Sequence, residues 1–212
     1  MKSNLDAEML GGILDSKAES QKGMVIANDA DHKRAYLLTH QLNRLNTSNL
    51  IILNHNAQNF PFLYSKASFH NLPNSFDSTI FFDRIVCDVP CSSDAAIRKI
   101  PQKWAKWHTK DGSSLHPLQI QILKKGLQLL KVGGKLSYST CSLNPLENEA
   151  VVAAALKSFQ GYIELVDVKK EEIGQMFRFR DGLQAWEVLV EKPDCQDNYF
   201  QLYQNFLDVP SQ

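Results

Sequence analysis

No apolar run in this sequence approaches the roughly 20 residues needed to cross a bilayer. The hydrophobic residues come in short clusters such as Met24-Val25-Ile26 and Leu50-Ile51-Ile52-Leu53. No apolar stretch follows Lys2 as a secretory leader would require. The expectation is an intracellular protein of nucleus or cytoplasm, not secreted, with no membrane partner. Net charge is also missing: 23 Lys and Arg balance 23 Asp and Glu, so no global field draws in nucleic acid and any RNA contact must come from a local patch. Cysteine is scarce. Cys87, Cys91, Cys141 and Cys195 lie far apart in a chain without secretory features, which argues against a disulfide framework and for reduced thiols. Cys87 and Cys91 are not at zinc-knuckle spacing and no second Cys/His pair accompanies them, so no metal is expected. Internal repeats and low-complexity tracts are absent as well.

The sequence does hold alternating strand-like and helix-like segments, the pattern of an α/β fold in which helices cover both faces of a parallel sheet. Strand character spans 23–27 and ends in Asn28-Asp29. A helix over 32–45 places Ala35, Leu38, Leu42 and Leu45 on one face. Strands follow at 50–53 and 81–87, the latter closing on Asp88-Val89-Pro90-Cys91. Leu115, Leu118, Ile122, Gly126 and Leu130 mark a helix over 115–130, which Gly133-Gly134 is expected to stop. A strand over 135–139 then delivers Thr140-Cys141-Ser142, and Asn144-Pro145 opens a helix over 147–159. Further strands are expected at 162–168 and 185–191.

Ligands of open parallel sheets bind beyond the carboxyl ends of the strands. Asp29, Asn56, Asp88, Cys91 and Cys141 all fall at or just after such ends. Asp29 can accept from two ribose hydroxyls, or serve as N-cap of the helix over 32–45. Cys91 and Cys141 are each either a nucleophile or a small buried thiol. For Cys141, polar neighbours and unpaired amides of the next helix would favour a thiolate. Two cysteines at the ends of two successive strands favour chemistry over packing. Cys87, inside an apolar strand, Cys195, in a polar loop, and His55, beside Asn56, read as structural. Arg98, Lys99, Lys103, Lys106 and Lys110 surround Trp104 and Trp107 with no acid between them, a local RNA-contact candidate unless the tryptophans belong to the core.

Ile26-Ala27-Asn28-Asp29, Cys87-Asp88-Val89-Pro90-Cys91-Ser92, and Tyr138-Ser139-Thr140-Cys141-Ser142-Leu143-Asn144-Pro145 with Glu147 and Glu149 resemble the Sun family (RsmB/NOP/Sun) of RNA cytosine-5 methyltransferases. The wording is that of the tRNA-modifying branch, and the resemblance spans 22–210. It implies a Rossmann-like methyltransferase domain over 22–212 and S-adenosylmethionine as cofactor. Cys141 would be the nucleophile at C6 of cytosine and Cys91 would help release the methylated product. Asp88 would lie near the cofactor's reactive end and the base, Asp29 at its ribose and Asn56 near its adenine. RNA, in the first place tRNA, is the implied partner, with Arg98, Lys99, Lys103 and Lys106 as contacts.

Three departures accompany the resemblance. Asn56 stands where the family has Asp, and Ser93-Asp94-Ala95 stands where it favours Gly-Asp-Gly. Residues 1–21 hold nothing like the family's first strand and Ala-Ala-Pro-Gly loop; instead Leu5, Met9, Leu10, Ile13 and Leu14 are spaced as a short helix. The expectation is a sheet without its first, central strand and weak cofactor binding by the chain alone. The competing reading is a non-catalytic fragment or degenerate paralogue that binds RNA or a partner.

Overall fold

A computed structural model describes residues 23–45, 49–64, 79–186, 188–191 and 200–203. The chain divides into two compact units, Met1–Ala57 and Gln58–Gln212.

In the first unit, β1 (Val25–Asn28) pairs in parallel with β2 (Leu50–Leu53), in register from Val25 opposite Leu50 to Asn28 opposite Leu53. The crossover between them is α1 (His32–Leu42), which turns Ala35 and Leu42 inward. Its N-cap is Asp31, whose carboxylate accepts from the Arg34 amide at 2.9 Å. Asp29 is therefore not the cap, because the chain makes one more turn before the helix begins. At the other end the α-helix stops at Leu42 and tightens into a 3₁₀ turn over Asn43–Leu45, the usual way of using the last carbonyls of a helix.

In the second unit, β3 (Leu63–Tyr64) and β4 (Thr79–Ile80) make a small antiparallel pair, whereas β5 (Phe82–Asp88) and β6 (Leu130–Ser139) run parallel. The β5–β6 crossover carries α2 (Gln102–Lys106) and the long α3 (Thr109–Leu129). After β6 come α4 (Glu149–Ser158), α5 (Glu172–Gln175) and an antiparallel pair of β7 (Val188–Glu191) with β8 (Phe200–Tyr203). The fold is α/β as expected, and among the described residues the strands form four pairs rather than one continuous sheet. None of the described helices is long and apolar enough to cross a membrane.

α3 starts six residues ahead of the position its apolar spacing marks, because a reciprocal cap supplies the start. His108 Nδ1 accepts from the Lys110 amide and the Asp111 carboxylate accepts from the His108 amide, each at 3.1 Å. Packing against the sheet is close at Gly126, where a Cβ would stand 2.9 Å from Leu136 Cδ1 and 3.0 Å from Cys87 Sγ. Leu123, Val151 and Ala155 form the centre of the core, flanked by Ile120, Leu127, Leu136 and Tyr138. Each fully buried aliphatic side chain of this kind contributes roughly 1.5–3 kcal/mol.

Three expectations are corrected. Gly133-Gly134 does not stop α3; the helix passes directly into β6 at Leu130, and the glycines sit in a bulge where pairing jumps from Phe82–Leu130 to Arg84–Lys135. Gly133 takes φ +78° there, open to glycine at little cost. The helix placed over 147–159 starts at Glu149, since the Glu147 and Asn148 amides close tight turns on the Asn144 and Pro145 carbonyls first. Residues 162–167 are not a strand and run into a 3₁₀ turn over Val168–Lys170. The expected N-terminal helix over 1–21, and Cys195, lie outside the described residues.

Candidate active site

The first unit gathers Asp29 and Asn56 at the carboxyl ends of its two strands. Those ends are tied together: Asn28 Nδ2 donates to the His55 carbonyl at 2.8 Å, the His55 amide donates to Asn28 Oδ1 at 3.0 Å, and Asn54 Nδ2 donates to the Asp29 carbonyl at 2.7 Å. His55 thus acts through its backbone as a brace, the structural role anticipated for it. The Asp29 carboxylate accepts from the Asp31 amide at 2.8 Å and lies in the fork of Arg34, at 2.9 Å to Nε and 3.0 Å to Nη2. Asn56 is exposed beyond β2, and its carbonyl lies 3.0 Å from His55 Nδ1.

The second unit brings the two candidate cysteines together. β5 and β6 are in parallel register through Cys87–Tyr138 and Asp88–Ser139, so the loops leaving their carboxyl ends emerge side by side. Cys91 Sγ and Cys141 Sγ are 3.2 Å apart, well beyond the ~2.05 Å of a disulfide. The Cys141 amide donates to Cys91 Sγ at 3.3 Å. Cys141 is exposed and Cys91 half-buried. Burial pushes the Cys91 thiol above its ordinary range, with the Cys141 contact acting in the same direction. Asp88, exposed at the end of β5, accepts from Ser139 Oγ at 3.2 Å. Cys87 behaves as read from the sequence: it is 8% exposed and desolvation raises its pKa to about 11.

Side chains rather than a helix start shape the loop after Cys141. Ser142 donates its amide to Thr140 Oγ1, Leu143 to Asp94 Oδ1, Asn144 to Ser142 Oγ, and Leu146 to Asn144 Oδ1. Those amides are committed, which removes the expected support of unpaired helix-start donors for a Cys141 thiolate. On the other loop, Ser93 stands where a glycine was expected and adopts φ 59°, the only positive φ outside glycine among the described residues. Its hydroxyl donates to the Cys91 carbonyl at 3.2 Å, a local bond that helps a short polar side chain hold this conformation.

Sequence reasoning quoted Glu147 in the motif but gave it no role, and it is the centre that joins the loops. Glu147 is 0% exposed. Its Oε1 accepts from the Ser92 amide at 2.8 Å and Gln119 Nε2 at 3.1 Å, and its Oε2 accepts from Ser92 Oγ at 2.5 Å and Ser142 Oγ at 2.8 Å. Gln119 Nε2 also reaches the Pro90 carbonyl at 2.9 Å. Tyr138 donates to the Glu147 carbonyl at 2.7 Å; burial, then the Glu147 charge, raise its pKa. His116, 1% exposed, has Nδ1 2.6 Å from the Leu146 carbonyl, and desolvation lowers its pKa. A doublet was the available signal: each candidate cysteine is followed by a serine, and both serines meet the same carboxylate.

The basic stretch divides. Arg98, Lys99 and Lys106 are exposed, and Trp104 at 77% exposure is not core. Lys103 is half-buried and donates to the Ser92 carbonyl at 3.1 Å, which makes it part of the Cys91 loop.

The chain is similar to several known proteins. The chain is 51% identical over 179 residues to a multisite-specific tRNA:(cytosine-C(5))-methyltransferase, trm4b, of Schizosaccharomyces pombe, covering 82% of this chain and 26% of that protein. It is 45% identical to a multisite-specific tRNA:(cytosine-C(5))-methyltransferase of Saccharomyces cerevisiae, covering 82% and 25%. It is 39% identical to a tRNA (cytosine(34)-C(5))-methyltransferase of Drosophila melanogaster, covering 89% and 24%. The chain thus spans about a quarter of the length of these curated relatives. Among solved structures, PH0851 superposes with TM-score 0.53 at 27% identity, covering 65% of this chain and 28% of that one. NSun6 from Pyrococcus horikoshii with SFG gives TM-score 0.50 at 26% identity, covering 65% and 31%. The family model described as 16S rRNA methyltransferase RsmB/F matches residues 15–200, so this chain, with its paired thiols at the ends of β5 and β6, belongs to the RsmB/F methyltransferase family.

Proposed function

We propose that the chain carries the thiol chemistry of an RNA cytosine-5 methyltransferase acting on tRNA, with Cys141 as nucleophile and Cys91 as the group that completes release. The observation that carries this is the 3.2 Å approach of the two sulfurs. Cys141, the exposed member, adds through its thiolate to C6 of a cytosine taken out of its stack, which makes C5 electron-rich. After C5 has been methylated, Cys91 as thiolate accepts the C5 proton. Those electrons restore the C5–C6 double bond and expel Cys141. Burial, which raises the Cys91 pKa, disfavours this thiolate at rest and makes it the stronger base once formed. Asp88 faces the base from the end of β5, where Ser139 orients it.

S-adenosylmethionine supplies an electrophilic methyl group when bound. The residues present fit it: a carboxylate has about four acceptor positions, and three donors occupy Asp29. Arg34 is 72% exposed while the Asp29 carboxylate is 19% exposed, so the guanidinium can move into solvent and leave the carboxylate's acceptor positions to ribose hydroxyls. Asn56 offers acceptor and donor together on the adenine side. Arg98, Lys99 and Lys106, with Lys103 at the loop, are the phosphate contacts of this reading.

Incubation of the chain with S-adenosylmethionine and tRNA containing 5-azacytosine, or ordinary tRNA, tests the roles. A covalent complex is expected with the unaltered chain and none with Cys141→Ala, while Cys91→Ala should leave a complex on ordinary tRNA. Identical behaviour of the two variants refutes the assignment. Binding of tRNA without any adduct from the unaltered chain favours the non-catalytic reading.

A further inference from the structure

Both cysteines are followed by serine, and both serines are buried, at 6% for Ser92 and 7% for Ser142. They lie on different loops, yet their hydroxyls are 3.4 Å apart and both donate to Glu147 Oε2. The carboxylate also takes the Ser92 amide and Gln119 Nε2, and Gln119 in turn reaches the Pro90 carbonyl. Every acceptor direction of a fully buried charge is therefore spent on the two cysteine loops and on the helix beneath them. A buried carboxylate is costly unless so saturated. The same donors would satisfy it equally well on one loop. Here they bridge two, one residue away from each sulfur.

We propose that Glu147 is a positioning residue: its carboxylate clamps Ser92 to Ser142 and so fixes the Cys91–Cys141 separation on which the two-thiol chemistry depends. The inference rests on the functional reading above, since fixing that distance matters only if both thiols act on one base. Cys141 is the exposed partner and has few other restraints at its side chain, so its place relative to Cys91 is set by the backbone of residues 140–142. That backbone is held by Ser142 on Glu147, and by Asn148 Nδ2 donating to the Ser142 carbonyl at 3.0 Å. A carboxamide at position 147 keeps the shape but turns an N–H donor toward hydroxyls and amides that are themselves donating, which opens the bridge.

The test needs neither RNA nor cofactor. In a Cys87→Ala, Cys195→Ala background, the Cys91–Cys141 pair is equilibrated with reduced and oxidised glutathione. Each disulfide formed releases two reduced glutathiones, and the equilibrium gives the effective concentration of one thiol at the other. Glu147→Gln should lower that effective concentration at least about ten-fold. Ser142→Ala, which removes one donor and leaves three, should lower it by a smaller factor and serves if Glu147→Gln does not fold. Urea denaturation in parallel shows that the pair is measured in folded protein. If both folded variants keep the parent's effective concentration and lose only stability, Glu147 is a structural carboxylate and the proposal is overturned; if Glu147→Gln is unfolded, an unchanged Ser142→Ala overturns it alone. Trapping on 5-azacytosine tRNA separates this from the functional reading: no adduct from the parent chain sinks that reading, whereas the thiol equilibrium still decides the clamp.

Discussion

Gly112 offers a test of how tightly α3 abuts the Cys141 loop. A Cβ there would lie 2.5 Å from Asn144 Nδ2 and 3.3 Å from Glu147 Oε2. The first distance is not tolerated, and Asn144 cannot simply swing away because its Oδ1 holds the Leu146 amide at 3.0 Å. Gly112→Ala therefore sets two effects against each other. The helix gains ~0.5–1 kcal/mol from losing a glycine. Overpacking against a restrained side chain costs about 1–3 kcal/mol. The net expectation is destabilisation of roughly 0.5–2 kcal/mol. In an Asn144→Ala background the 2.5 Å contact is gone, but Glu147 Oε2 at 3.3 Å and Cδ at 3.5 Å remain, with Oε2 held by two serine hydroxyls. The same substitution should therefore still destabilise, by about 1 kcal/mol less than in the parent. Urea denaturation of the four proteins at one pH reads the cycle. Alkylation of Cys141 by iodoacetamide should rise in Gly112→Ala as its loop is pushed outward. An equal cost of the substitution in both backgrounds would refute this account of the packing.

Other consequences follow from the thiols, the loop and the basic stretch. The Cys87 pKa is raised from 9.0 to about 11 in the folded state, so the unfolded chain ionises first: this contribution is intact below about pH 9 and lost as pH rises toward about 11, on the order of 2 kcal/mol in all. Urea midpoints at about pH 8 and about pH 10.5 should converge in Cys87→Ala relative to the parent, and an unchanged gap contradicts the burial argument. At position 93, φ 59° penalises a β-branched side chain, so Ser93→Val should lower stability by more than ~1 kcal/mol while Ser93→Gly stays within about 0.5; equal thermal shifts would disprove the strain. For RNA, replacing Arg98 and Lys106 with Ala should weaken tRNA binding and flatten its salt slope by about 0.7–0.9 for each phosphate no longer neutralised. Lys103→Ala should instead raise the accessibility of Cys91 to alkylation, because Lys103 holds the Ser92 carbonyl.

Where sequence and structure agree, the physics is local. β2 occupies 50–53 as read, since four consecutive aliphatics bounded by Asn leave little choice. The α/β order followed from alternation of periodicities alone, and the carboxyl-end rule picked out Asp29, Asn56, Asp88, Cys91 and Cys141 on pattern alone. Of these, the register of β5 and β6 brings Cys91 and Cys141 together. Boundaries failed where a side chain overrode the pattern. Asp31 capped α1 instead of Asp29, His108 and Asp111 started α3 early, and Gly133-Gly134 served a bulge because Phe82 and Arg84 on the neighbouring strand set the pairing, which no reading of residues 130–139 could reveal.

Glu147 was illegible for a different reason. In sequence it sits in Asn144-Pro145-Leu146-Glu147-Asn148-Glu149, a polar turn before a helix, where an acidic residue ordinarily faces water and complements the helix dipole. Glu149 fits that rule, opening α4 and accepting the Leu183 amide at its rim. Glu147 inverts it, because the donors that make its burial bearable come from Ser92, 55 residues upstream, Gln119, 28 residues upstream, and Ser142, only 5 away. A local window sees one of those three partners and no cause for burial. The cost of burying a carboxylate, several kcal/mol even after relaxation, is offset only once β5 and β6 have paired and α3 has docked beneath them. The clamp is thus a product of the tertiary fold, and the thiol pair and its clamp should form together in folding rather than in sequence order. Measured alkylation protection of Cys91 during refolding should therefore track burial of Tyr138, whose hydroxyl reports on Glu147 from the β6 side; protection of Cys91 ahead of Tyr138 burial would separate the thiols from the clamp and break the argument.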